Sequence, residues 1–421
     1  MGYRLLILKR WLEDVLIFPF VWLGRRKARQ FPLDREYDIF FFFPFHHIGG
    51  AEKVHANIVN AFRGKKALIV FTRRSKQAGF IEEFKRSGHQ VMDISALTDD
   101  KSRYWNNLYY RGVFSGYINA QKQKTVVFNG HSNFAYKMSR WIRHDIAQIE
   151  LIHSFSSFSY IRLPFLPFYC ETVMISRNRI NDHLNQYRQW GVPLFYDTRI
   201  RYIVNGIELP EQKELRVFEE NTLKMMYVGR GTPEKRVHLA GAIATELRKH
   251  KLPVQMSFIG DVAHELGSDN QAHDVWYGNV DDASVLHNLY VQRADILLIT
   301  SSEEGFPMVV EEAMARGSII MATPVGDLPV HIRQGVNGYL FSTVNDEQRI
   351  IEEAVVFVRQ LLADAALCQT ISANNIEYAY ANFGLLNFEE SYRSLIESHL
   401  QLRTYNPEPT NESSRLRHNN L

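Results

Sequence analysis

The stretch of this chain best equipped for chemistry runs from Ser301 to Met314 (SSEEGFPMVVEEAM), directly after the apolar run ILLIT at 296–300. Pro307 suits the first turn of a helix, where a missing N–H costs nothing and a fixed φ is already helical. The loop carrying Gly305 and Phe306 would then meet a helix N-terminus at Pro307 and Met308. Its free backbone N–H groups and positive dipole end make a place for an anion. Glu304 stands before that helix and Glu312 in its second turn, at most ~12 Å apart at a rise of about 1.5 Å per residue. That span fits a nucleoside-diphosphate sugar, with one carboxylate on sugar hydroxyls, the other on the ribose diol, and the pyrophosphate on the amides between. Spacing alone is equally met by a strand, a loop and a helix carrying solvated glutamates.

A second group lies upstream. Tyr227-Val228-Gly229-Arg230 closes another apolar run, and Lys235 follows in the next loop. Gly229 permits close backbone approach, while Arg230 and Lys235 supply the positive charge that a departing diphosphate requires. Gly229-x-Gly231 begins a dinucleotide fingerprint but breaks it, because Glu234 puts an anion where the third glycine belongs. In the first half, His47-Ile48-Gly49-Gly50-Ala51-Glu52 follows FFFPF and opens a helix, so Gly49 and Gly50 let a ligand reach backbone amides. His131 and His153 each follow an apolar run directly, placed to touch a sugar or phosphate and equally able to serve as satisfied structural residues. Cys170 and Cys368 show no metal-ligand spacing. A zinc site and a disulfide framework are therefore not expected, and a reducing compartment is.

These residues need elements that hold them at the ends of strands. Short apolar runs at 37–43, 67–71, 90–94, 125–129, 147–152 and 172–176 have the unalternating character of buried parallel strands. A second series follows at 224–228, 255–259, 275–277, 296–300, 318–322 and 338–341, with helices expected at 237–249, 284–292, 308–316 and 346–363. Strands alternating with helices twice over predict an α/β fold of two Rossmann-like, doubly wound domains facing across a cleft. The expected divisions are an N-terminal amphipathic segment (1–30), a first domain (31–205), a second domain (206–384), a closing helix (385–403) and a disordered tail (404–421), with Asn205-Gly206 at the crossing.

The chain has 421 residues, 45% of them hydrophobic and 23% charged, which excludes a largely disordered, collagenous or coiled-coil protein. Forty-nine Lys and Arg against 46 Asp and Glu leave a formal charge of +3, no footprint for wholesale nucleic-acid binding. Residues 1–30 stand apart. Leu5, Leu8, Trp11, Leu12, Val15, Leu16 and Phe18 recur at helical spacing, Pro19 disturbs the helix, and Arg25, Arg26, Lys27 and Arg29 follow. The longest apolar run is too short to span a bilayer, and interior acidic residues fit a signal peptide poorly. Two readings stay open: a helix lying on an anionic membrane surface, or an extra helix packed on the protein itself.

Taken in order, GGAE, the strand-end histidines, NGI at the crossing, VGR with its lysine, and EGFPMVVEEAMA resemble the retaining GT-B glycosyltransferases of the family-4 type (glycosyl transferases group 1). The likeness runs over roughly 37–400, with Ala322-Thr323-Pro324-Val325-Gly326-Asp327 and the Tyr392 helix part of it. It implies a GT-B fold with Arg230 and Lys235 on the donor diphosphate and Glu312 at the ribose. Glu304 lies at the donor sugar, and His131 contacts that sugar at the reacting face. By the same likeness Gly49 and Gly50 shape the loop near phosphates and acceptor, and His153 is a further contact. The implied donor is a UDP- or GDP-sugar and the acceptor a glycan or lipid-linked saccharide of the cell envelope. No cofactor or obligatory metal is implied, and the implied place is cytoplasmic, at the inner face of the membrane. Where the family has glycine after the lysine, this chain has Arg236, expected to add a phosphate contact or to stand in solvent. A sugar-nucleotide epimerase, a phosphorylase and a non-catalytic binding protein on the same frame are the competing expectations. The intact Arg230, Lys235, Glu304 and Glu312 set argues against the last.

Overall fold

The computed structural model describes residues 2–47, 49–75, 81–153, 155, 157–219, 221–280 and 282–401. The tail expected at 404–421 lies outside the described residues.

The first sheet has seven parallel strands: β1 (Ile39–Phe43), β2 (Ala67–Phe71), β3 (Gln90–Asp93), β4 (Val126–Asn129), β5 (Ala147–Ile152), β6 (Glu171–Met174) and β7 (Ile200–Tyr202), in the order β3-β2-β1-β4-β5-β6-β7. The apolar runs form these strands because helices cover both faces; every residue of β1, β2, β4 and β5 is buried. β7 is only three residues long, with an exposed Arg201 at its centre, and no apolar run marks it in the sequence. The second sheet has six parallel strands: β8 (Leu223–Val228), β9 (Val254–Ile259), β10 (Val275–Trp276), β11 (Ile296–Ile299), β12 (Ile319–Ala322) and β13 (Gly338–Leu340), in the order β10-β9-β8-β11-β12-β13. In each sheet the order reverses once, between β1 and β4 and between β8 and β11. The crevice outside the carboxyl ends of such a pair is where this architecture takes ligands.

Two strands of chain cross between the sheets side by side. Ile207 N–H donates to the Phe383 carbonyl and Leu385 N–H to the Ile207 carbonyl, both at 2.9 Å. The helix Leu385–Gln401 then returns to the first domain and buries Phe388, Tyr392 and Ile396 in its core.

The N-terminal helix α1 (Tyr3–Gln30) is continuous for 28 residues, through Pro19. Pro19 withholds an N–H from the carbonyl of Val15, and Val15 lies on the exposed side, so that lost bond falls where the helix packs on nothing. The opposite face holds the helix to the protein. Tyr3, Asp14, Val21, Gly24 and Ala28 are buried, and Arg10 Nε lies 3.6 Å from Asp14 Oδ2 within that seam. Gly24 and Ala28 meet Gly112 and Gly116 of the helix Tyr104–Asn119. A Cβ on Gly112 would stand 2.2 Å from the Val21 carbonyl oxygen and one on Gly24 2.1 Å from that of Tyr109. Small residues spaced by four therefore let the two backbones touch. Of the two readings left open for this segment, packing on the protein accounts for this face alone.

Candidate functional site

The end of β8 carries Gly229 and Arg230, and the end of β11 carries Thr300 to Glu304, so the second sheet's reversal brings them together. Lys235 Nζ lies 2.5 Å from Glu304 Oε1, and Ser301 Oγ donates to the same oxygen at 2.6 Å. The loop holding Glu304 is fastened from every side. Ser302 N–H donates to the Glu234 carbonyl at 2.8 Å and Asp327 N–H to that of Gly305 at 2.8 Å. Arg179, from the first domain, donates to the Glu304 carbonyl through Nε and Nη2 at 3.1 and 3.0 Å. Gly326, at φ +54°, packs against this turn; a Cβ there would stand 2.1 Å from the Gly305 oxygen. Arg230 is largely exposed, 4.0 Å from Glu234.

The helix after the loop is Met308–Met314, seven residues rather than the expected nine, with Pro307 as its cap and not inside its first turn. Its dipole is correspondingly short, so positive charge at the reversal comes chiefly from Arg230 and Lys235. Phe306, expected among the donor contacts, turns its side chain into the core. It stacks on His331 with centroids 4.2 Å apart and touches Phe383. Met308 packs against the apolar cores of both domains. Glu312 accepts from Tyr290 Oη at 3.1 Å. Burial pushes its carboxyl upward, while Tyr290, Arg316 and Lys53 of the first domain oppose the shift. The adjacent Glu311 is fully buried, neither oxygen has a hydrogen-bond partner among the described residues, and burial raises it well above the usual carboxylate range.

Arg236 does not stand in solvent. Its backbone is left-handed, φ 48° and ψ 53°, the conformation a glycine takes freely. The buried guanidinium bonds the carbonyls of Thr300, Ser301 and Val344 at 2.7, 3.3 and 2.5 Å, tying the loop after β8 to the end of β11.

Across the cleft, the first sheet's reversal sets the ends of β1 and β4 side by side. Gly49 caps and Gly50 opens α2 (Gly50–Asn60), and a Cβ on Gly50 would meet open space. Glu52 lies 3.3 Å from His47; burial raises its carboxyl, and His47 and Arg230 draw it back. His131 is held at φ +70° after β4 against Phe158, with Nε2 unpartnered among the described residues. His153 Nε2 lies 2.9 Å from His55 Nε2, and His55 stacks on Phe43. Burial lowers His131 to about 4 and His153 to about 3, and pulls His55 down as well, so all three rings are neutral at neutral pH. The walls touch here: a Cβ on Gly305 would stand 2.8 Å from the His153 carbonyl oxygen.

Lys53, His55, Tyr290 and Arg179 join the site without any signal in the sequence. Glu52 and Ser301 had one, as the last residue of GGAE and the first of the stretch that carries Glu304. Among the described residues no group of three or more His, Cys, Asp or Glu is arranged to hold a metal ion. The two cysteines are free and buried.

The stretch 210–377, which carries Arg230, Lys235, Glu304 and Glu312, matches the family model of glycosyl transferases group 1. These residues form a group 1 glycosyltransferase domain. The chain is 28% identical to the trehalose synthase of Rubrobacter xylanophilus over 31% of its own length and 32% of that protein's. It is 26% identical to the lipopolysaccharide 1,2-N-acetylglucosaminetransferase of Salmonella typhimurium over 36% and 42%. The chain thus spans less than half the length of these relatives. In fold it is similar to Anabaena HepE, solved with UDP-glucose, with TM-score 0.66 and 16% identity over 86% of this chain and all of HepE. The two facing parallel sheets of the group 1 domain and its partner are the GT-B architecture.

Proposed function

We propose that this protein is a retaining glycosyltransferase moving a sugar from a nucleoside diphosphate to a glycan or lipid-linked acceptor of the cell envelope, on the cytoplasmic side. The observation that supports it is the convergence of Arg230, Lys235 and Glu304 at the reversal of the second sheet, in the group 1 domain. The donor diphosphate lies on Arg230 and Lys235, with Gly229 giving it room. Glu304 takes donor-sugar hydroxyls, and Glu312 with Tyr290 takes the ribose diol. The bond from the anomeric carbon to the diphosphate oxygen breaks, and the acceptor oxygen bonds that carbon on the same face. The acceptor's proton leaves on the departing phosphate. Arg230 and Lys235 offset the charge developing there, the task a divalent cation performs in other transferases, so the reaction needs none. Neutral His131 offers one hydrogen bond to a sugar hydroxyl, and Gly49 and Gly50 leave space for phosphates and acceptor. His153 shapes the same wall through its carbonyl.

A thermal-shift panel of UDP, GDP, ADP and dTDP with their sugars, with and without magnesium, tests this reading. HepE, crystallised with UDP-glucose, makes UDP the first probe. Stabilisation by one nucleotide family, independent of magnesium, is the expected result. Glu304→Gln should lower turnover by about 10²-fold or more with the fold intact. Unchanged turnover in that variant would remove Glu304 from the reaction.

A further inference from the structure

The face of α1 turned away from the protein is apolar along its middle and basic at its ends. Leu8 (51%), Trp11 (53%), Leu12 (51%), Val15 (55%), Leu16 (75%) and Trp22 (50%) are exposed on a helix whose other side is already committed to packing. The stripe from Leu5 to Leu23 runs for about 27 Å at the rise of an α-helix. On the same face lie Arg4 in the first turn and Arg26 and Arg29 in the last two, and none of the three has an acidic partner among the described residues. Phe18, Trp22, Arg25, Arg26 and Arg29 border a groove of about 310 Å³, with Val21 at its floor. No single helix among the described residues is long and apolar enough to cross a membrane.

We infer that this face docks on an anionic bilayer surface, with the indoles and leucines at the boundary of acyl chains and headgroups and the arginines on lipid phosphates. Charge decides between this occupant and a second copy of the chain. Two such faces packed together set arginine against arginine whichever way the helices run, whereas an anionic surface neutralises both ends. The seam between α1 and the Tyr104–Asn119 helix transmits the attachment to the whole domain. The segment beneath it reaches the cleft: Arg10 lies over Phe168, 4.7 Å from the ring centroid, and Phe158 of the same stretch touches His131. A bilayer under α1 therefore lies against the first domain, which, resting on the function proposed above, suits an acceptor anchored in lipid.

The inference needs no turnover to test. The full chain is floated with vesicles of phosphatidylcholine alone and of phosphatidylcholine with phosphatidylglycerol at 7:3, at low and high salt. Expected are binding to the anionic vesicles, weakening with salt, and a blue shift of tryptophan emission. Leu12→Glu with Leu16→Glu should weaken binding about tenfold or more, since both side chains lose apolar burial. Arg26→Glu with Arg29→Glu should abolish the preference for anionic vesicles. The substituted side chains are exposed, and an unchanged melting temperature of the variants checks that the fold survives. No vesicle binding, or binding indifferent to the leucine pair, overturns the inference. So does sedimentation of the wild-type chain as a dimer that Leu12→Glu and Leu16→Glu dissociate, which would assign the face to a second copy.

Discussion

Asp327 ties the second domain to the first, and its removal gives a prediction that can be worked from the structure. Its carboxylate comes from the second domain, yet it caps a helix of the first. Oδ1 accepts from Ser176 Oγ at 2.7 Å and from Asn178 N–H at 2.9 Å, and Oδ2 accepts from Arg177 N–H at 2.7 Å. Those two amides open the helix Arg177–Trp190, where no intrahelical partner exists for them. A hydrogen bond to a charged acceptor contributes ~1.5–3 kcal/mol, and amides freed by parting domains regain water, so the low end applies to each. Asp327→Ala should therefore cost the closed arrangement about 3–5 kcal/mol, shifting its balance against the open one by about 150- to 5,000-fold. Asp327→Asn keeps one acceptor and loses the charge, and should cost about 1–2 kcal/mol. Amide hydrogen exchange reads this residue by residue. Arg177 and Asn178 should exchange faster in the order wild type, Asn, Ala, while the amides of β8 keep their protection. Unchanged exchange at Arg177 and Asn178 would refute the cap. Equal acceleration in β8 would show that Asp327 supports its own domain rather than the contact between the two.

At Arg236, glycine should be tolerated better than alanine. Both lose the bonds to Thr300, Ser301 and Val344, but only glycine relieves the left-handed backbone, worth about 1 kcal/mol in urea unfolding; equal stabilities would refute the strain. Acid should destabilise the protein through its histidines. His131 binds its proton near 4 when folded and near 6.5 when unfolded, so the unfolded state holds more protons in between, and stability falls as pH drops from about 6.5 to about 4. His131→Asn, which keeps a residue tolerant of positive φ, should flatten that slope by up to about 1.4 kcal/mol per pH unit, and parallel slopes would refute it. Glu311 acts with the opposite sign, because its raised carboxyl keeps its proton when folded and loses it when unfolded. Its destabilising effect grows as pH rises above about 4.5. Glu311→Leu should raise stability by about 1–3 kcal/mol at pH 8 and by less at pH 4.5 in urea titrations at the two pH values, and a loss at pH 8 would mean the carboxyl has a partner.

The sequence spelled out what lies close along the chain. Unalternating apolar runs located twelve of the thirteen strands among the described residues, and the helix Val237–Lys249 falls at its expected ends. Glu304, Arg230 and Lys235 were legible because each sits within a few residues of a strand's end, and the strand order then brings those ends together. What stayed hidden depends on partners distant in sequence or on backbone angles. His55 and His153 are 98 residues apart and pair only because α2 and β5 flank the same crevice. Asp327 appeared as the last letter of a motif, and nothing local to it says that the helix it caps begins 150 residues earlier. Arg236 read as a spare cation because composition reports charge and not φ. Phe306 read as a ligand contact because its neighbours in sequence did, whereas its ring stacks on His331 in the core. α1 shows the same division within one element. Its apolar spacing was visible, but the spacing describes two faces, and only the glycines at 24, 112 and 116 decide which one the protein keeps for itself. The face left over is the one rich in tryptophan and leucine, so the residues that first suggested a membrane contact are those the fold does not use.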